Sequence, residues 1–288
     1  MDSNPLNSVR TMTKKVKQHR PRLPEWMRIK VGKGQAKSEV RNILRALNLN
    51  TVCSSAVCPN LDECWSRNTA TFMILGDECT RNCRFCAVTH SDSPSMPDPA
   101  EPANVAEAAV RMKLKYVVVT SVTRDDLPDG GSGQFAKTIC ELRKRDSEIQ
   151  VEVLTPDYLG ADLKTVIDAG PAVFNHNIET VERLSAEIRI KADYRRSLEV
   201  LENAVKFSRG KVAVKSGLMV GMGETDEEVE QTICEIRKTG ASILTLGQYL
   251  PPSATTGSLI VMWNLRNSQN GKRMLQSWVL KALPAGPL

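Results

Sequence analysis

Three thiols fall within eight residues at Cys79-Thr-Arg-Asn-Cys83-Arg-Phe-Cys86, a C-x3-C-x2-C spacing that follows the apolar run Thr71-Phe-Met-Ile-Leu-Gly76. Three cysteines on one tight loop can hold three corners of a metal centre and leave a fourth open. Iron–sulfur clusters are normally held by four thiolates, so the missing fourth ligand is where chemistry is expected. Other uses of the thiols compete. Disulfides need an oxidising compartment, and no secretory signal precedes these residues. A structural zinc site usually pairs C-x2-C ligands and closes with four. A redox pair, Cys83 and Cys86, has no need of Cys79. A second group, Cys53-x4-Cys58-x5-Cys64, lies just upstream in a stretch that Pro59 and Asn60 make turn-rich. It too lacks a local fourth ligand. A zinc site completed by a distant residue stays open there, but two adjacent three-thiol loops argue for two clusters.

The elements that must position these loops alternate along the chain. Apolar, β-branched runs predict buried strands at Thr71–Leu75, Tyr116–Thr120, Gln150–Leu154, Ala172–Asn175, Lys211–Val214 and Ile243–Leu246. Helical periods lie between them, near Val105–Lys113, Gln134–Arg145, Leu163–Ala169, Val181–Ala186, Arg195–Phe207 and Glu227–Lys238. Upstream, Ser38–Leu47 reads as a short helix with Ser38 as its cap. Strands separated by helices imply parallel βαβ units. A closed eight-unit barrel needs about 250 residues, so about six units fit a partial, open TIM-type barrel of the α/β class. An N-terminal extension would carry the second cysteine group. Active sites of such folds gather at the C-terminal strand ends. The Cys79 loop follows the first strand, so the later loops should face it: Thr120–Gly131, Asn175–Thr180 and Ser216–Glu224. From loop position alone, Ser121 and Glu179 are candidate ligand contacts, with local capping and turn bonds as the competing use. His176 by itself reads as a hydrogen-bonded structural histidine.

The 288 residues are 41% hydrophobic and 25% charged, enough for a substantial core, with no apolar run of membrane-spanning length. Residues 1–52 carry twelve Lys/Arg against three Asp/Glu, although the whole chain is only +6. This basic arm lacks interleaved aromatics apart from Trp26 and any nucleic-acid motif, so neither nucleic acid nor membrane is an expected partner. An acidic protein partner and simple solvation are the remaining uses. Cys140 and Cys234 stand alone in helical patterns and read as small core residues. The first residues have no apolar core, so the chain is expected to be cytoplasmic. The expected organisation is a basic arm and short helix (1–52), a cluster loop (53–70), the barrel (71–253) and an atypical tail (254–288).

The C-x3-C-x2-C spacing with Phe85 before its last cysteine resembles the signature of radical S-adenosylmethionine (SAM) enzymes. The paired cysteine groups, Arg81-Asn-Cys-Arg-Phe-Cys86, Thr120-Ser-Val-Thr-Arg-Asp-Asp-Leu-Pro-Asp-Gly-Gly131 and Phe174-Asn-His-Asn-Ile-Glu-Thr180 together resemble lipoyl synthase, from about Arg22 to Ser253. That resemblance implies that Cys79, Cys83 and Cys86 bind a [4Fe–4S] cluster whose open iron chelates SAM, which is cleaved to a 5′-deoxyadenosyl radical. It implies that Cys53, Cys58 and Cys64 hold an auxiliary [4Fe–4S] cluster that surrenders sulfide. The implied reaction inserts two sulfurs, at C6 and C8, into an octanoyl chain on a carrier-protein lysine. Implied partners are lipoyl domains of 2-oxoacid dehydrogenase E2 subunits or the glycine-cleavage H protein, with ferredoxin or flavodoxin as reductant. Acidic carriers would meet Arg20, Arg22 and Lys30. Alternatives are a sulfur-inserting enzyme of the biotin-synthase kind and a cluster-binding remnant without turnover.

The resemblance stops at the tail. The family's Arg-Ser-Ser-Tyr motif, whose serine completes the auxiliary cluster, has no counterpart here, and residues 254–288 hold four Lys/Arg and no acid. A frameshift and genuine divergence are the two explanations. In this form the auxiliary cluster would need water, a side chain such as Ser253 or Ser258, or a substrate group as its fourth ligand, and the chain is expected to cleave SAM and to insert sulfur poorly or not at all.

Overall fold

A computed structural model describes residues 35–52 and 70–252. The basic arm, the Cys53–Cys64 group and the tail from Ser253 lie outside the described residues.

Helix α1 (Gln35–Ala46) leads to a short strand β1 (Asn50–Thr51). Alternation then begins with β2 (Thr71–Ile74), a small parallel pair β3 (Glu78–Cys79) and β4 (Thr89–His90), and α2 (Glu101–Arg111). It continues through β5 (Tyr116–Ser121), α3 (Ser132–Arg145), β6 (Gln150–Leu154), α4 (Gly160–Asp168) and β7 (Val173–Asn175). The chain then forms α5 (Glu182–Ile188), α6 (Tyr194–Ser208), β8 (Ala213–Val220), α7 (Asp226–Lys238) and β9 (Ile243–Gln248). One sheet runs β1-β2-β5-β6-β7-β8-β9, every pair parallel except the β1 edge. Each long strand therefore lies beside its successor, as βα units require, and six of them make the partial TIM-type barrel.

Period-two alternation assigns the two faces. Val117, Val119, Val151, Val153, Phe174 and Val214 are buried against Phe135, Ile139, Leu163, Val166, Leu201 and Ala204 of α3, α4 and α6. The opposite positions line the concave interior, and they are more polar: Tyr116, Thr120, Glu152, Asn175 and Lys215. Helix α7 starts on a capping box, Thr225 with Glu228, which satisfies two otherwise orphaned amides.

Several expectations need correction. Helix α1 starts at Gln35, so Ser38 sits exposed inside its first turn and does not cap it. β8 starts later than Lys211 and runs to Val220, so Ser216–Val220 is strand where a loop was expected. Six register pairs with β9 hold that stretch extended, and tertiary pairing overrides the local preference of Gly217. Cys140 and Cys234 are exposed, not core residues. The short strands β1, β3 and β4 lack any periodic signal, being two residues each.

The connection out of β2 is the tightest point near the site. Leu75 is buried at φ 69° and Gly76 follows at φ 93°, so the chain turns sharply before the cysteines. Leu75 is held by its amide donating to Glu101 Oε2 (2.8 Å) and by its carbonyl accepting from Arg124 Nη1 (3.2 Å). Its side chain packs onto Gly131, where a Cβ would lie 2.3 Å from Leu75 Cδ1. Gly131→Ala should therefore lower unfolding free energy by about 3 kcal/mol in urea titrations, through strain and overpacking. Gly210→Ala, at φ 76° with open space around it, should cost only about 1 kcal/mol.

Candidate functional site

The cysteine loop is fastened to the loop after β5 by a set of short bonds. Thr80 donates through its amide and its hydroxyl to the Thr123 carbonyl (3.0 Å each), and the Asp125 amide donates to Thr80 Oγ1 (3.0 Å). Arg81, between the first two cysteines, forks onto Asp125 with Nε and Nη2 (2.9 and 2.8 Å). Its Nη1 pairs with Asp157 Oδ1 beyond β6 (2.7 Å), and Arg196 of α6 takes the other Asp157 oxygen (3.1 Å). Burial opposes the charge on Arg81, but the hydrogen bonds and fields of Asp125 and Asp157 outweigh it and raise the pKa. A bidentate guanidinium–carboxylate pair fixes orientation as well as distance.

The three thiols line one cavity of about 180 Å³ at the C-terminal strand ends, together with Phe85, Ser121, Glu179, His176 and Arg189. All three are free. Backbone amides already point at two of the sulfurs: Arg81 and Thr123 donate to Cys79 Sγ (3.4 and 3.3 Å) and Val88 to Cys86 Sγ (3.4 Å). Burial, with neighbouring Cys86, pushes the Cys83 thiol up to about 11 against the pull of Arg189, and burial raises Cys86 as well. Among the described residues, no three or more His, Cys, Asp or Glu side chains converge as ligands of a single ion. The thiols share a cavity without meeting at one point.

Across from the thiols lie groups with unused hydrogen-bonding capacity. Ser121 Oγ, Thr155 Oγ1, His176 Nε2 and Asn177 Oδ1 are buried without a partner. His176 bonds the Thr155 carbonyl through Nδ1 (3.0 Å). Burial first, then the nearby Arg189, lower its pKa to about 4. It is neutral at pH 7, and with Nδ1 as the donor Nε2 is left as an acceptor. The structural-histidine reading thus holds for one ring nitrogen, while the other serves the cavity.

Glu179 is strained at φ 67° and bridged to β8, its amide donating to Gly217 O and its carbonyl accepting from the Met219 amide. Its carboxylate accepts from Asn177 Nδ2 (3.0 Å), and burial raises its pKa against the opposing pull of Arg189. Arg189, buried at the end of α5, donates Nη1 to Ile178 O (3.1 Å) and Ser197 Oγ (3.0 Å). Among the described residues it has no carboxylate ion pair. Burial lowers its pKa, and it stays cationic at neutral pH.

Phe85, Ser121 and Glu179 are therefore brought together with Cys79, Cys83 and Cys86; Cys53, Cys58 and Cys64 lie outside the described residues. Sequence reading missed Arg189, Arg81 and Asp157. Arg81 was in plain view inside the cysteine loop, but nothing local marks its carboxylate partners. Arg189 follows an ordinary helix and carries no motif signal.

A loop of three free thiols at the mouth of a parallel partial barrel defines a class, and the family model described as the radical SAM superfamily matches residues 73–235. The solved structure of Streptococcus suis SuiB bound to S-adenosylmethionine shares the fold (12% identity, TM-score 0.56, 85% of this chain and 58% of that one). A second model, the N-terminal domain of lipoyl synthase of the radical SAM family, matches residues 2–58. Lipoyl synthases from Chlorobium limicola (50% identity, 82% of this chain, 80% of that one) and Alkaliphilus metalliredigens (49%, 81% and 80%) are similar over most of their length. The chain belongs to the lipoyl synthase family, a sulfur-transferring branch of the radical SAM enzymes that uses [4Fe–4S] clusters and SAM.

The residues present fit those groups. Three thiols, two of them with amide donors, suit thiolate ligation of iron. The guanidinium and the unpartnered acceptors and hydroxyls suit a zwitterionic nucleoside. Arg81→Lys cannot fork onto two carboxylates. It should lower the unfolding free energy of the apo chain by about 2–3 kcal/mol, read in urea, because Asp157 keeps a single partner in a buried position.

Proposed function

We propose that this chain inserts two sulfur atoms at C6 and C8 of an octanoyl chain held in amide linkage on a carrier-protein lysine. The observation that carries the reading is the cavity in which Cys79, Cys83 and Cys86 face several unpartnered polar groups and a buried Arg189 that forms no carboxylate ion pair among the described residues. Cys79, Cys83 and Cys86 would ligate the SAM-binding [4Fe–4S] cluster, and Cys53, Cys58 and Cys64 the auxiliary cluster that supplies sulfur. Bound there, these groups supply one-electron chemistry able to remove hydrogen from an unactivated carbon, which side-chain acids and bases cannot do.

The chain's own residues bind and orient. Arg189 would take the SAM carboxylate in a charge-assisted bond. Glu179 and Ser121 offer an acceptor and a hydroxyl to its polar edge. Neutral His176 adds an acceptor without adding positive charge. Phe85 packs with Met219, Leu244 and Leu246 against the core cluster around Leu218 and Val220, keeping that wall dry.

The proposed organisation keeps a basic arm and short helix (1–52), a cluster loop (53–70), the barrel (71–253) and a separate tail (254–288). Lipoyl-carrier proteins are the substrates in this reading, specifically E2 lipoyl domains or the glycine-cleavage H protein, with ferredoxin or flavodoxin as reductant. The cytoplasm is the proposed compartment. No helix among the described residues is long and apolar enough to cross a membrane.

Anaerobic reconstitution tests this. The full chain should take up about eight irons, as two four-iron clusters, form 5′-deoxyadenosine from SAM and convert an octanoylated carrier only in low yield, since residues 254–288 carry no Arg-Ser-Ser-Tyr motif. Cys83→Ser should abolish SAM cleavage. Cys58→Ser should keep it, hold about four irons and lose the sulfur-bearing product. Arg189→Met should weaken SAM binding on the order of 30-fold or more at unchanged iron content. Full iron loading without SAM cleavage by the unmodified chain would sink the reading.

A further inference from the structure

Barrel interiors are normally filled by layers of branched apolar side chains. This one carries an ionic layer. Thr120, Leu154, Asn175 and Lys215 are register partners and form one ring of inward positions; Thr120 and Leu154 of that ring line the thiol cavity. The ring below holds Val118, Glu152, Val173 and Ala213, and Tyr116 lies below that. Lys215 reaches down and Tyr116 reaches up, so that Lys215 Nζ and Tyr116 Oη both donate to the Glu152 carboxylate (2.9 and 2.5 Å). The lysine and glutamate side chains are 17% and 8% exposed. Burial and the Glu152 bond push the tyrosine pKa up, so its phenol stays a donor. Fold stability gives no reason to keep such a pair, because well-packed apolar residues in its place are often neutral or better.

We propose that Tyr116, Glu152 and Lys215 form the end-stop of the acyl chamber, a polar wall one layer beneath the thiol cavity that sets how far a saturated fatty-acyl chain can enter. The proposal rests on the activity proposed above. A saturated chain offers no polar handle near its reacting carbons, and C6 and C8 lie at its methyl end. Their position relative to the cluster loop then has to come from what the methyl group meets. A satisfied ion pair is a firm stop, since a methyl that displaced it would leave buried charges unpaired. The wall is therefore a specificity device for chain length and for the site of reaction.

The test uses the full chain reconstituted with iron, sulfide and SAM, and measures binding of octanoyl-lysyl and decanoyl-lysyl peptides. The unmodified chain should bind the decanoyl peptide at least about tenfold more weakly than the octanoyl one, since two methylenes must be accommodated against the wall. The Glu152→Ala/Lys215→Ala double variant should move that ratio at least about tenfold toward decanoyl. The volume-filling Glu152→Leu/Lys215→Met pair, which keeps the bulk but removes the ion pair, should also move the ratio toward decanoyl by more than about threefold; a ratio at its starting value there would show that bulk alone sets the stop and would overturn the polar wall. Equal or tighter decanoyl binding by the unmodified chain overturns the end-stop without any variant having to fold. So does a ratio unchanged within about twofold in a folded alanine variant. If the unmodified chain cleaves SAM but binds neither peptide, the proposed acyl substrate fails, and the end-stop fails with it.

Discussion

Everything at the strand ends depends on how Arg81 is held. One side chain between two of the thiols is gripped by a carboxylate from the loop after β5 and another from the loop after β6. The grip is over-determined, because Asp157 is itself fixed by Arg196 and Thr80 bonds both Thr123 and Asp125. A short cysteine loop has little core of its own and would otherwise pay its ordering entropy unaided. Charged hydrogen bonds to two strand ends replace the missing core. The thiols therefore inherit the rigidity of the barrel.

The electrostatics around that loop are arranged for anionic ligands. Arg81 is neutralised by its carboxylates, but Arg189 is buried with only neutral acceptors in hydrogen-bond contact. Glu179 is drawn two ways, by burial toward the neutral form and by Arg189 toward the charged one. His176 stays uncharged and adds no competing cation. A cavity that, among the described residues, keeps one guanidinium without a carboxylate ion pair beside several unpartnered acceptors and hydroxyls is unfavourable when empty of ligand. Its fold tolerates this because the surrounding strands bury an unbroken apolar face against α3, α4 and α6.

The two faces of the sheet divide the labour. The helix-facing side is a conventional core of Val and Phe and carries the stability. The interior side carries Thr120, which lines the cavity, and Asn175, Glu152 and Lys215, polar groups that add less to stability than an apolar layer would. Two of the non-glycine residues with positive φ, Leu75 and Glu179, fall in the same region, each pinned by bonds from neighbouring elements. Strained conformations persist only where the surroundings over-determine them, and both of these positions satisfy that condition.

The sequence alone determined the alternation of strands and helices and the loop on which the thiols sit, because hydrophobic period and ligand spacing are local properties. It also pointed to Ser121 and Glu179, since βα order places every such loop at one barrel end. It misjudged what depends on neighbours. The reach of β8 past Gly217 comes from pairing with β9, and the exposure of Cys140 and Cys234 depends on which helix face meets the sheet. Only the tertiary structure decided that Arg81 belongs to Asp125 and Asp157, that Arg189 enters the cavity, and that Glu152 meets Lys215 and Tyr116. Those contacts join charges from separate loops and strands, and side-chain electrostatics leave no periodic trace along the chain from which such pairs could be read.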